Sequence, residues 1–264
     1  LKQIARQARV AGEAYVRFIR RAILKIKFTV VPAMIILFLL ACMNSCVSIK
    51  ENDKAYVGKY IEIQGYFGDR NLEEFLEYVD SRAQAIIEKY NPGYVKPVVF
   101  RLYSTVDAFH NAGFGRKGND GSVGTGQNGK VYMVNPYCSK VHDYDEMLII
   151  GVHEFTHVVT LDINSSMPIW LSEGIAMLEA GQANRYSELK REALRGELPK
   201  YNALQYDDNS VYKYSRSIAE FIIDTYSIEA MRDLIKTPDI KKVLHLTNDE
   251  FQNEWSNYLK ARKI

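Results

Sequence analysis

Cysteine is scarce: three residues in 264, of which only Cys138 lies beyond residue 50. That excludes a disulfide-stapled scaffold and a cysteine-built metal finger for the body of the chain, and Cys138 reads as a small apolar residue. A basic body is missing too. Residues 1–27 carry eight Lys or Arg against the single Glu13, so they hold +7 of a net charge of +2 and leave −5 for the rest. A mildly acidic body behind a basic leader excludes a nucleic-acid binder, whose positive charge belongs on the folded domain. The glycine-rich segment 113–130, GFGRKGNDGSVGTGQNGK, lacks the Gly-Lys-Ser/Thr ending of a phosphate cradle and reads as a surface loop or loose hairpin. No internal repeat or low-complexity tract interrupts the body.

The one long uncharged stretch is 28–49, FTVVPAMIILFLLACMNSCVSI. Basic residues, an apolar core and then small residues follow one another in the order of a secretory signal. Within it, Leu39, Leu40, Ala41 and Cys42 resemble a bacterial lipobox, in which Cys42 takes the lipid; Cys46 is a second candidate. A retained transmembrane anchor and a cleaved secretory signal are the alternatives. All three place the body outside the cytoplasm, the lipid or the anchor holding it to the bacterial cell envelope, and divide the chain into a leader, 1–49, and a body, 50–264.

In the body, Leu72, Phe75, Leu76, Val79, Ala83, Ile86 and Ile87 recur at helical spacing and predict a helix over 71–90. Residues 48–60 ahead of it read as a polar tether. VVFRLYS (98–104) alternates as a strand, TVDAFHNA (105–112) is a short helix with a Thr or Asp cap, and KVYMVNP (130–136) is a strand ended by Pro136, which suits an edge position. A helix runs from DYDEML to about Leu161, a second covers 167–182, and the segments that follow are helical in pattern. Strands first and helices later predict an α+β chain.

The chemistry concentrates in GVHEFTHVVT, 151–160. A four-residue helical step turns about 400° and rises about 6 Å, so His153 and His157 leave one face and their imidazoles can converge on one ion. That geometry suits zinc. Glu154 lies about 100° round the helix, out of place as a ligand but placed to take a proton from water. By chance alone H-E-x-x-H arises in roughly one such chain in a hundred, so context has to decide. The helix is apolar on nearly every side, and two histidines and a glutamate buried without partners are costly. A third ligand leaves a fourth position open; the candidates are Asp162, Glu173 and Glu179, with Glu173 favoured by its place early in the next helix.

HEFTH followed by WLSEGIAMLEAG resembles the gluzincin metallopeptidases, and more closely the small peptidase MA-like domains of bacterial surface proteins. The likeness spans about 98–235 and implies a zincin-like fold with a small N-terminal sheet, an active-site helix and a mostly helical C-terminal part. It implies His153, His157 and Glu173 as zinc ligands, Glu154 as general base, and a tyrosine donating to the oxyanion, either Tyr212 or Tyr214. VYMVNP is similar to the edge strand along which substrate lies in such domains, which makes 131–134 the expected backbone platform. No GAMEN segment precedes the zinc helix, so nothing points to reading of a free N-terminus.

The expected function is therefore a zinc-dependent metallopeptidase, an endopeptidase acting on extracytoplasmic proteins or peptides, with one catalytic Zn2+, tethered to the membrane through Cys42 or the segment 28–49. A zincin-fold surface protein that binds without turnover, and a non-peptidase zinc hydrolase, are the competing readings.

Overall fold

Asp80 explains how the first strands form. Its carboxylate accepts from the backbone amides of Lys59, Tyr60 and Ile61, so a short helix-borne side chain folds the preceding backbone into a tight connection. The computed structural model that shows this describes residues 56–207 and 209–263. Strand β1 (Tyr56–Val57) pairs antiparallel with β2 (Ile61–Gly65), so the expected tether already contains sheet by Tyr56. Alternation of Ile61 and Ile63 with Glu62 and Gln64 puts one face of β2 in the core. The leader, the apolar segment 28–49 and Cys42 lie outside the described residues. Among the described residues no helix is long and apolar enough to cross a membrane.

Helix α1 (Glu73–Tyr90) links β2 to the parallel strand β3 (Val98–Tyr103). It buries Phe75, Val79, Ala83 and Ile86, and Phe75 meets Phe100 of β3 edge-on at 5.7 Å. Helix α2 (Val106–Asn111) follows, capped by the Thr105 side chain on the Ala108 amide. Strands β4 (Gly124–Gln127) and β5 (Lys130–Val134) then form an antiparallel hairpin. Its two connecting residues are Asn128 and Gly129, both at positive φ, the conformation that tight hairpin turns demand.

The resulting mixed sheet has the order β1-β2-β3-β5-β4. The strand expected at an edge, 130–136, is not at one. Strand β5 lies inside the sheet, parallel to β3 on one side and antiparallel to β4 on the other. The edge on that side is β4, from the glycine-rich segment. Pro136 gave the wrong signal because it falls beyond the end of β5 at Val134 and so interrupts no ladder.

Helix α3 (Tyr144–Leu161) carries the HEFTH sequence. Asp143 and Glu146 form a capping box at its start, with Asp145 adding an acid where the helix dipole favours one. Every residue from Gly151 to Thr160 is buried. Its threonines do not need outside partners: Thr156 and Thr160 bond the carbonyls of Val152 and Thr156, one turn back. Helix α4 (Ile169–Glu179) packs on α3 and on α6 (Ser210–Thr225). The α4–α6 crossing is so close that a Cβ on Gly174 would lie 2.5 Å from the Ser215 carbonyl oxygen. Between them come α5 (Tyr186–Arg195) and a 3-10 turn (Tyr201–Ala203); α7 (Ile228–Lys236), α8 (Ile240–Leu244) and α9 (Asn248–Ala261) complete the described fold. The class is α+β: α1 and α2 are interspersed among the strands, and from Tyr144 onward the described chain is helical with its connections.

Candidate metal centre

Helices α3 and α4 bring three ligand-type side chains together. His153 and His157 Nε2 stand 3.0 Å apart, and Glu173 places Oε2 at 3.3 Å from His153 Nε2 and Oε1 at 3.4 Å from His157 Nε2. All three residues are buried, and their ligand atoms lie within 4.8 Å of one another. Two atoms each about 2.0–2.1 Å from a tetrahedral ion stand roughly 3.3–3.4 Å apart, close to the spacing found.

What holds the imidazoles decides which nitrogens face inward. Gln182 Oε1 lies 2.9 Å from His153 Nδ1, and Ser172 Oγ lies 3.0 Å from His157 Nδ1. An amide oxygen only accepts, so His153 Nδ1 carries the hydrogen and its Nε2 presents a lone pair when neutral. With Ser172 accepting likewise, two lone pairs confront each other across 3.0 Å, an arrangement that calls for a proton or a cation between them. Glu173 Oε2 is buried with His153 Nε2 at 3.3 Å, and beside a neutral ring it receives no hydrogen bond, which is costly for a carboxylate unless a proton or an ion satisfies it. The residues fit a divalent ion.

Protonation tells the same story. Burial disfavours a charged His153, but the Glu173 carboxylate beside it, with Glu154 and Gln182, outweighs burial and raises its pKa from 6.5 to about 9. Burial also opposes ionisation of Glu173, yet the charge of His157 and contact with both rings hold its carboxyl well below the usual range. In the absence of metal a proton therefore takes the cation's place.

Asp162 and Glu179, the other candidates for third ligand, are engaged elsewhere. Asn91 Nδ2 donates to Asp162, and Glu179 accepts from Lys89 Nζ and Tyr90 Oη.

Glu154 sits beside the group, buried, in the wall of a cleft of about 370 Å³ that also exposes His153, His157 and Glu173. Burial raises its pKa above the ordinary carboxylate value, against the opposing pull of His153 and His157. The edge strand is fitted to it. A Cβ on Gly124 would lie 2.9 Å from the Glu154 side chain, and one on Gly126 2.4 Å from the Glu154 carbonyl oxygen. The sequence Gly-Thr-Gly is thus what lets β4 lie flat against α3.

The two candidate tyrosines separate. Tyr212, half-exposed, lines the cleft together with Glu154 and Glu173. Tyr214 is buried, donates to Glu192 at 2.9 Å, stands edge-on to Trp255, and does not line the cleft. Four contributors escaped the sequence reading: Ser172, Gln182, Tyr206 and β4. Tyr206 Oη donates to Glu173 Oε1 at 2.8 Å and lies 5.7 Å, ring to ring, from Tyr212. Gln182 reaches back to His153 because Gly181, at φ +68°, turns the chain beyond α4. Ser172 was the one within reach, since it adjoins Glu173 on α4.

No known family model matches the chain, and no curated protein does either.

Proposed function

We propose that this chain is a zinc-dependent metallopeptidase of the gluzincin kind, with a zincin-like fold, and that it cleaves internal peptide bonds of extracytoplasmic proteins or peptides. The observation that carries the reading is one juxtaposition: a buried His-His-Glu group open to a cleft, with Glu154 in the same wall and a sheet edge running past it. A metal ion held by His153, His157 and Glu173 would supply Lewis-acid chemistry, polarising a carbonyl and acidifying water.

The protein's own groups account for the remaining steps. Glu154, whose proton affinity burial has raised, takes the proton of the attacking water and passes it to the leaving amine nitrogen. Tyr212 keeps its proton, because burial and the nearby Glu173 and Glu154 charges push its ionisation up, so it donates to the carbonyl oxygen as charge develops there. The outer edge of β4, unpaired among the described residues, offers backbone groups to which an extended peptide adds as a further strand. That assigns to β4 the platform role expected of 131–134. The leader and the Leu39–Cys42 sequence support a body tethered outside the cytoplasm through lipid on Cys42.

The experiment is hydrolysis of a broad peptide mixture by wild type and Glu154→Gln at equal zinc loading. The reading expects internal cleavage by the wild type and a loss of at least about 10²-fold in the variant. Zinc binding with no cleavage by either protein favours the non-catalytic surface protein instead.

A further inference from the structure

The metal group does not account for Arg116. This residue lies on the connection between α2 and β4, and that connection is pinned at its neck. The Arg116 amide donates to Ser122 Oγ, the Asn119 amide to the Arg116 carbonyl, and His110 Nε2 lies 3.0 Å from the Ser122 carbonyl oxygen. The side chain lines the cleft with its guanidinium carbon 5.0 Å from the ring centre of Tyr206. Through Tyr206, which bonds Glu173, the cation is registered against the metal group.

Arg116 lines the cleft that contains Glu173 and also the adjoining one, of about 320 Å³, that contains His142 and Gln182; Glu154 lies in the walls of both. Its protein counter-ion is weak. Nη1 is 3.4 Å from Asp207, whose side chain is 98% exposed, so water screens that pair, and the residue that carries this weakly neutralised charge lines both clefts. Its charge is felt inside: it acts on the Tyr212 hydroxyl in opposition to the burial that raises that group.

We propose that Arg116 is a specificity-determining residue, and that the cleft selects substrates bearing a carboxylate close to the bond placed over Glu154. The geometry suits this ligand. Arg116 is tied through Ser122 to the N-terminal end of β4 and lines the same cleft as Gly124, Thr125 and Gly126, and a guanidinium fork matches a carboxylate with two parallel hydrogen bonds. An acidic side chain or a nearby C-terminal carboxylate supplies the same chemistry. The inference rests on the peptidase reading for its name, but its binding half does not require turnover.

The test uses short peptides identical except for Glu, Gln or Lys at one position, scanned along the chain, each with a free or an amidated C-terminus. Cleavage is measured with wild type, Arg116→Gln and Arg116→Glu at equal zinc content. Binding of the same peptides is measured with Glu154→Gln and with Glu154→Gln/Arg116→Gln. At one position the wild type should favour Glu over Gln by about tenfold or more in kcat/KM. Arg116→Gln should bring that ratio to about one, and Arg116→Glu should turn it toward Lys. A preference that follows the free C-terminus, and vanishes on amidation, identifies the terminal carboxylate as the group read. Binding should show the same tenfold preference, lost in the double variant.

If peptides are cleaved with one Glu-to-Gln ratio in wild type and Arg116→Gln, the proposal falls and the peptidase reading stands. If nothing is cleaved but the binding preference is present and depends on Arg116, the peptidase reading falls and the carboxylate site stands. Neither cleavage nor preferential binding overturns both.

Discussion

Tyr206 donates its phenol hydrogen to Glu173 Oε1 at 2.8 Å, tying an irregular segment after the 3-10 turn to the carboxylate that completes the metal group. Burial, and then the charge and hydrogen bond of Glu173, raise the phenol's own ionisation far above its ordinary value, so the donor stays a donor at any pH the protein meets. Tyr206→Phe should weaken zinc binding by about 10–100-fold, as loss of a ligand's outer partner commonly does. Gln182→Ala, which frees His153 Nδ1, should do the same. Competition with a chromogenic chelator measures both.

On the proposed reading, zinc must displace a proton from His153. With the pKa of that ring at about 9 in the metal-free protein, zinc affinity should rise about tenfold per pH unit as pH climbs toward 9 and level off beyond it. The metal-free protein should behave in the opposite sense. A raised histidine pKa contributes stability that is complete below the unfolded value, near 6.5, and is lost as pH rises through about 9. The depressed Glu173 carboxyl contributes stability above the ordinary glutamate range and loses it as pH falls through its folded value. Chemical denaturation of zinc-free protein across this range, compared with Glu173→Gln, checks both limbs.

The two glycines of β4 should fail differently. Alanine at 126 sets its Cβ 2.4 Å from a backbone oxygen of α3, which cannot swing away. Gly126→Ala should cost about 1–3 kcal/mol, read as a fall of about 2–4 °C in Tm per kcal/mol. Alanine at 124 meets the Glu154 side chain at 2.9 Å, and that carboxylate can rotate. Gly124→Ala should keep most of its Tm and lose kcat.

Tyr212→Phe and Tyr214→Phe resolve the choice that helical spacing left open. The first should lower kcat by about 10²–10³-fold with little change in zinc content. The second, which breaks a hydrogen bond to Glu192 at the other side of α6, should cost on the order of 1 kcal/mol in stability and leave kcat alone. The reverse result moves the oxyanion donor to Tyr214.

Which parts of the site the sequence disclosed follows from how each is encoded. His153, His157 and Glu173 sit on helices whose long apolar runs announce them, and helix geometry converts spacing into direction. Helix α3 was legible to its last residue because its cap, acids and apolar run all agree. Strand β4 was illegible because GTGQ has no apolar alternation; what makes it a strand is the closeness of α3, a tertiary fact that favours glycine. Strand β2 depends on Asp80, some twenty residues away. Tyr206 belongs to no periodic element, so nothing local marks it out among 18 tyrosines. Pro136 misled for the same reason, since an edge signal has meaning only once a strand's end is known.

Equilibrium dialysis against buffered zinc, with wild type and His157→Ala in parallel, tests the central claim most directly. The account predicts one ion per wild-type chain and a loss of at least about 10²-fold in affinity for the variant, which removes one of three converging ligands. A wild type that retains no zinc, or a variant that binds it as tightly as the wild type, contradicts the account.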